Sequence, residues 1–317
     1  MIPKIIHQTW KTKENLPVDF EKYSSTWKKL HSDWDYRLYD DNDCLLIVKK
    51  YFQEFLDTYL QLPTPVMKAD MFRYMIIYQF GGLYADIDAE ALKSFDNLID
   101  KDDKMIVGTE IDFNNLAFSK FNPLYKNYYK KHNISKQYAQ YVFLAAPKNP
   151  ILYQILQHVK NKKHTSGSTH TDTFLVTGPA IFSHIIHNNK SNVKILDVKK
   201  FNGVTSIIGR YILGINNPSK EAYTKHHEAA SWKNRNDIVY TLLCCVILAL
   251  FITFLVLFIF GIIYFNKCKG KTSKKCIEII QYCRIKKIFI IISTILIVLC
   301  LAIMINFAIK DRAFWPF

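Results

Sequence analysis

Residues 65–88 read PVMKADMFRYMIIYQFGGLYADID, and this stretch decides the fold class. Pro65 suits the first turn of a helix, where its missing N–H is no loss. Nothing breaks the pattern before Phe80, and Gly81-Gly82 supplies the left-handed backbone that ends helices. Residues 83–87 then read as an apolar strand. On an amphipathic helix Asp70 and Arg73 stand three apart and share a face, offering an acceptor and a planar donor fork together. Asp86 and Asp88 alternate with Ala85 and Ile87, so in a strand both carboxylates point one way. They sit where the strand runs out, and the carboxyl edge of an open α/β sheet is where ligands bind. Two neighbouring carboxylates repel, and a divalent cation between them removes that cost. Taken singly, each piece has an ordinary explanation. D-x-D occurs as solvated strand-end charge, and an Asp–Arg pair at i,i+3 is commonly a surface ion pair worth under ~1 kcal/mol. The combination is far more specific.

Outward from this block, helices and strands alternate with short connections. Strands are expected at residues 3–10, 34–39, 105–109, 141–146 and 193–196, and helices at 18–30, 150–160 and 178–188. Asp40-Asp41-Asn42-Asp43 marks the start of another helix, running to about Tyr59. Such alternation specifies an α/β sheet with helices on both faces. His7, in the first strand, reads as a core residue.

The chain has 317 residues, 50% of them hydrophobic and 15% aromatic, with 7 cysteines and a formal charge of +15. Length allows two domains, while the apolar content excludes a disordered polyelectrolyte. Residues 1–237 are the globular part, and Cys44 is their only cysteine, so an internal disulfide is excluded there. Residues 238–265 and 288–309 contain no charged residue, and each is longer than the ~20 residues that span a bilayer. Both are expected to be transmembrane helices. Between them, residues 266–287 carry eight cations against Glu278, a net +7; the tail 310–317 adds +1, which leaves +7 on the globular part. The high charge is therefore largely juxtamembrane, and a basic loop beside anionic headgroups explains it better than nucleic-acid binding. Met1–His7 shows no basic n-region, apolar h-region or cleavage site.

The residues quoted so far resemble glycosyltransferase family 32, the D-x-D sugar transferases. The matching pieces are Ile2-Pro3-Lys4-Ile5-Ile6-His7-Gln8-Thr9-Trp10, Trp34-Asp35-Tyr36-Arg37-Leu38-Tyr39-Asp40 and the block from Asp70 to Asp88, together with Thr177-Gly178-Pro179, His227 and Ser231-Trp232. A catalytic domain followed by C-terminal transmembrane helices is most similar to the fungal mannosyl-inositol-phosphoceramide synthase catalytic subunits. The resemblance implies a GT-A fold, a nucleotide-sugar donor, Mn²⁺ or Mg²⁺, and retention at the anomeric carbon. It implies that Asp86 contacts the donor ribose and reaches the metal partly through water, and that Asp88 ligates the metal directly. Asp70 and Arg73 would hold the transferred sugar, with Tyr84 beside them in the donor site. Trp10 would stack on the base, His227 would complete the metal shell, and Ser231 and Trp232 would touch the diphosphate. His226 adjoins His227 and competes for the same place, and Trp10 and Trp232 also read as plain core aromatics. The segment 138–143 lacks the asparagine that the family pattern places before Ala146-Pro147.

The expected function is a membrane-bound hexosyltransferase, with mannose from GDP-mannose the favoured donor group and a lipid such as inositol phosphoceramide the acceptor. Glycoprotein or glycan acceptors, and a non-catalytic membrane binding protein with a relic donor site, are the alternatives. The positive-inside rule puts the basic loop in the cytosol and residues 1–237 in the lumen of an endomembrane compartment, Golgi-like by resemblance. The sequons Asn133-Ile134-Ser135 and Asn189-Lys190-Ser191 are compatible with that orientation.

Overall fold

The computed structural model describes residues 1–115, 128–162, 172–201, 218–227, 229, 253 and 256. Met1–Ala229 form one unit and Ala230–Phe317 a second. Of the second, only Thr253 and Val256 are described, both helical. The apolar runs 238–265 and 288–309, the basic loop, the tail, and Ser231 and Trp232 otherwise lie outside the described residues. Among the described residues no helix is long and apolar enough to cross a membrane.

The first unit is built on a six-stranded sheet in the order β2-β1-β3-β6-β5-β7. Its strands are β1 (Ile5–Thr9), β2 (Asp35–Tyr39), β3 (Gly82–Ala85), β5 (Met105–Asp112), β6 (Lys136–Ala145) and β7 (Lys194–Leu196). β1 runs parallel to β2 and β3, and β5 parallel to β7, but β6 is antiparallel to both β3 and β5. A separate two-stranded ribbon pairs β4 (Ala89–Ala91) antiparallel with β8 (Thr224–His226).

Period-2 alternation divides the strands between two cores. Tyr84, Met105, Val107, Phe143 and Ala145 face one side, and Leu83, Ala85, Ile106, Val142 and Leu144 the other. On the first side lie α2 (Asp41–Tyr51), α3 (Leu56–Gln61), α4 (Pro65–Phe80), α5 (Pro150–Asn161) and α6 (Pro179–Asn188). The second side is covered by α1 (Val18–Leu30), through Trp27, and by α7 (Val198–Phe201), through Phe201. Helices therefore cover both faces, as alternation requires.

Local chemistry accounts for the boundaries. Asp19 and Glu21 open α1 and Lys28 and Lys29 close it, matching the helix dipole. In α2 the Asp43 N–H donates to Asp40 Oδ1 at 2.8 Å and the Asp40 N–H to Asp43 Oδ2 at 3.1 Å, a reciprocal cap. That helix stops at Tyr51 rather than reaching Tyr59. The chain turns at Phe52, makes a 3₁₀ turn over Gln53–Phe55 and restarts as α3, so that Phe52, Phe55 and Tyr59 are all buried. In α4 the Met67 N–H donates to the Thr64 cap, Pro65 occupies the first turn and Gly81 ends the helix at φ +67°. Contrary to the amphipathic reading, nine consecutive or near-consecutive positions from Met67 to Ile77 are buried. The helix lies between the sheet and its neighbours and has no solvent stripe across that stretch. Gly82 has φ +99°, and a Cβ there would lie 2.4 Å from the Ile5 carbonyl oxygen, which fixes glycine where β3 enters beside β1.

Candidate active site

β3 ends at Ala85, and residues 86–88 form a turn rather than the end of the strand. The Ala89 N–H closes that turn on the Asp86 carbonyl at 2.9 Å, and the Asp86 N–H donates to the Tyr141 carbonyl at 2.7 Å. The acceptor comes from an irregularity in β6. Val107 pairs with Phe143 but Thr109 with Tyr138, so residues 139–142 stand against Gly108. Bulges of this kind re-aim groups beside active sites. Here the bulge carries Gln140 toward α4 and Tyr141 toward β8.

Asp70 and Arg73 meet Asp86 as one buried group. Arg73 Nη2 lies 3.0 Å from Asp70 Oδ1 and 3.0 Å from Asp86 Oδ1, and the guanidinium sits over the Tyr84 ring at 5.0 Å. Burial works against the Arg73 charge, but Asp86, Tyr84 and Asp70 more than offset it and raise its pKa. Burial lifts the Asp70 carboxyl to about 7 despite Arg73 and its hydrogen bonds. Asp86 is also raised by burial, against the pull of Arg73. Tyr84 is itself buried. A carboxylate cannot donate, so the Tyr84 hydroxyl donates to Asp86 Oδ1 at 2.9 Å and accepts from Thr9 Oγ1 at 3.1 Å. It braces Asp86 instead of lining open space.

Asp86, Asp88 and His226 bring one ligand atom each within 4.8 Å of one another. Two carboxylates and an imidazole form a donor set suited to Mn²⁺ or a similar divalent ion. His226 Nε2 lies 3.3 Å from Asp88 Oδ1, and its ring stacks on Tyr141 with centroids 4.0 Å apart. The Ala229 N–H donates to Asp88 Oδ2 at 2.9 Å. Burial would raise the Asp88 pKa, but the His226 charge and hydrogen bond overcome it and leave the carboxyl below its ordinary range.

Of the two candidate histidines, the structure brings His226, and not His227, to Asp86 and Asp88. Successive residues of an extended chain point opposite ways, so β8 can direct only one of them at Asp88. His227 instead places Nε2 2.9 Å from Glu90 Oε2 and stacks on Tyr23 at 3.8 Å. Trp10 follows β1, meets Phe20 edge-to-face at 4.9 Å, and keeps its indole N–H buried without a partner. Ser231 and Trp232 lie outside the described residues.

Three contributors were not singled out from the sequence as site residues. Thr177 ends a π-helical turn, Thr173–Thr177, closed by the Gly178 N–H on the Thr173 carbonyl at 2.7 Å, and its hydroxyl donates to Asp70 Oδ2 at 2.9 Å. Gln140 Nε2 donates to Asp70 Oδ1 at 3.2 Å. Tyr74 presents its hydroxyl to Gln140 Oε1 at 2.6 Å and to the Thr177 carbonyl at 2.8 Å. The T-G-P run was a signal for Thr177; the missing asparagine drew attention to the segment holding Gln140.

Residues 17–105 match the family model described as glycosyltransferase sugar-binding region containing DXD motif. The chain is 28% identical to the initiation-specific alpha-1,6-mannosyltransferase of Schizosaccharomyces pombe, over 74% of its own length and 64% of that protein's. It is 27% identical to inositol phosphoceramide mannosyltransferase 1 of the same yeast, over 58% of this chain and 50% of the relative. A mannosyl phosphorylinositol ceramide synthase of Saccharomyces cerevisiae is 36% identical over 31% of this chain and 26% of its own. The chain thus spans between half and two thirds of the first two of these relatives. The resemblance read from the sequence agrees with these matches: residues 17–105 match the sugar-binding region of glycosyltransferases containing a DXD motif, and the chain is similar to fungal mannosyltransferases, among them inositol phosphoceramide mannosyltransferases.

Proposed function

We propose that the chain is a membrane-bound, retaining glycosyltransferase of the GT-A type that moves mannose from GDP-mannose to a lipid acceptor such as inositol phosphoceramide. The observation that carries this reading is the convergence of Asp86, Asp88 and His226 beside the Asp70–Arg73 pair at the end of β3. The two inositol phosphoceramide relatives support mannose and a lipid acceptor. The apolar runs 238–265 and 288–309 support a bilayer beside the acceptor, in an endomembrane compartment.

Asp86, Asp88 and His226 would hold Mn²⁺ or Mg²⁺, which when bound supplies positive charge for the diphosphate leaving group. The chain's own residues prepare that place. Arg73 and the Tyr84 hydroxyl both engage Asp86 Oδ1 and hold its carboxylate in one orientation. The Ala229 N–H does the same for Asp88 Oδ2. Trp10 offers an indole face where β1 ends, suited to stacking on a nucleobase.

A glycan acceptor is the second reading, favoured by the longer alignment with the alpha-1,6-mannosyltransferase, over 74% of this chain. Both readings are tested by incubating the purified full chain with GDP- and UDP-sugars and Mn²⁺, then adding fungal lipid extract or a mannan oligosaccharide to the best donor. GDP release from GDP-mannose with mannose appearing in lipid is the expected result. Mannose appearing only on the oligosaccharide selects the second reading, and release of no nucleotide diphosphate from any donor rejects both.

A further inference from the structure

The strand order β1-β3-β6-β5 sets three groups in a row along the carboxyl end of the sheet. β6 is antiparallel to both β3 and β5, so β5 runs the same way as β3 and β1. Trp10 follows β1, Asp86 and Asp88 follow β3, and Glu110 stands near the end of β5. β5 is two strand spacings, about 10 Å, from β3. A donor laid with its base on Trp10 and its diphosphate at Asp86 and Asp88 has Glu110 as the next group along the row. Glu110 is aimed by a second irregularity in the same strand pair. Thr109 pairs with Tyr138 and Ile111 with Gln137, so Glu110 is an extra residue in β5, and extra residues of this kind re-aim side chains beside active sites.

The half-buried Glu110 carboxylate is held in place. The Tyr129 hydroxyl donates to Gln137 Oε1 at 3.0 Å, which leaves the Gln137 amide nitrogen to donate to Glu110 Oε2 at 2.8 Å. Tyr129 and Gln137 are both buried. Glu110 is not one of the three residues whose ligand atoms converge, but its charge reaches them: burial would lower the His226 pKa, and Asp88, Asp86 and Glu110 raise it. An ionised carboxylate only accepts hydrogen bonds, and it repels phosphate. Glu110 therefore suits the hydroxyls of a ring and not the diphosphate. We propose that Glu110, fixed by Gln137, is an acceptor-binding residue: its carboxylate accepts a hydrogen bond from a ring hydroxyl of the acceptor beside the one that attacks, and so sets which hydroxyl faces the donor. An inositol headgroup and a mannoside share this chemistry. The proposal rests on the glycosyltransferase reading for the polyol's being a substrate, and binding of the polyol is measured apart from turnover.

The test uses the purified full chain and the variants Glu110→Met, which keeps the length of the side chain without its oxygens, and Glu110→Gln. Binding of myo-inositol 1-phosphate and of methyl α-mannoside, with Mn²⁺ and GDP present, is measured by saturation-transfer NMR. Wild type should bind at least one of the two, and its Kd should rise about tenfold or more in Glu110→Met and less in Glu110→Gln, the loss expected for a hydrogen bond to a charged group. Mannose transfer to inositol phosphoceramide in detergent and to a mannan oligosaccharide is then compared with donor hydrolysis by water. The ratio of transfer to hydrolysis should fall by a similar factor in Glu110→Met, because water offers no second hydroxyl for Glu110 to hold. Loss confined to the inositol probe and acceptor supports Glu110 and identifies a lipid headgroup; loss confined to the mannoside and oligosaccharide supports it and identifies a glycan. No binding of either probe to wild type, equal Kd in all three proteins, or transfer and hydrolysis falling in step overturns the assignment. If Glu110→Met does not fold, Glu110→Gln decides it by the same readings. A wild-type chain that binds a polyol through Glu110 but hydrolyses no donor rejects the glycosyltransferase reading and leaves the polyol site at Glu110 standing.

Discussion

His226 Nε2 lies 3.3 Å from Asp88 Oδ1, brought there by the pairing of β8 with β4, in which Ala89 stands opposite His226. The neighbouring His227 carries the same imidazole but lies against Glu90 and Tyr23. His226→Ala should therefore weaken Mn²⁺ binding by one to two orders of magnitude and reduce donor hydrolysis with it. His227→Ala should change Mn²⁺ affinity less than threefold. Titration of the two purified variants with Mn²⁺ checks the order, and the reverse ranking would return His227 to the metal shell.

Asp88→Asn keeps the shape of the side chain and removes half of the carboxylate pair. Transfer should fall by at least about 10²–10³, the loss typical of removing one group that stabilises leaving-group charge. The folded protein should survive, because the amide keeps the shape of the side chain and its oxygen can still accept from the Ala229 N–H. Asp86→Asn should also be severe, since Arg73 and Tyr84 both converge on Asp86 Oδ1. Circular dichroism beside a donor-hydrolysis assay separates lost chemistry from lost fold, and wild-type transfer by folded Asp88→Asn would remove the site from these residues.

His7 predicts an acid-sensitive core. It is completely buried, its Nε2 lies 3.0 Å from the Gly81 carbonyl and its Nδ1 2.9 Å from the Tyr39 hydroxyl. A carbonyl only accepts, so Nε2 carries the proton and Nδ1 accepts from Tyr39. Burial depresses the pKa from 6.5 to about 3. Between those values the unfolded chain binds a proton that the folded chain refuses, so stability is complete above pH 6.5 and declines as pH falls toward 3. From pH 7 to pH 4.5 the loss should reach about 2–3 kcal/mol. Urea unfolding across that range should show a shallower pH slope for His7→Gln than for wild type, whatever the variant's absolute stability.

The orientation expected from the basic loop has a readout in the two sequons. Asn133 is exposed, with φ +55°, and is free to carry a glycan. Asn189 donates its amide to Gln154 Oε1 at 3.1 Å and to the Ile185 carbonyl at 2.9 Å, so a glycan, which replaces one of the two amide hydrogens, would cost at least one of these bonds. With the first unit in the lumen, glycosidase treatment should shift the protein's mobility, and Asn133→Gln should abolish the shift while Asn189→Gln leaves it. No shift in the wild type, with the first unit digested by protease outside sealed microsomes, would place that unit in the cytosol.

The helices that position the site were legible where their end signals are local. Thr64, Pro65 and Gly81 bracket α4 within one segment, and its bounds follow from them. The turn at Asp86–Asp88 was not legible as a turn, because its N–H acceptor is Tyr141, in a bulge defined only by pairing with β5. For the same reason the Asp70–Thr177 bond, which joins residues 107 positions apart, left no mark on either local pattern. Choosing between His226 and His227 required knowing which strand β8 joins. Residue types and their spacing indicated the chemistry, while partners distant in the chain determined which atom meets which.

The pairing of β8 with β4 also sets an order of events during synthesis. All six strands of the main sheet precede residue 197, whereas His226 and the Ala229 N–H arrive only with the last described strand and the residues after it. A growing chain folds from its N-terminus as it emerges. The sheet can therefore assemble around Asp86 and Asp88 while the third member of the cluster is still missing. A chain lacking residues 224–229 would therefore have the scaffold and both carboxylates but not the complete cluster.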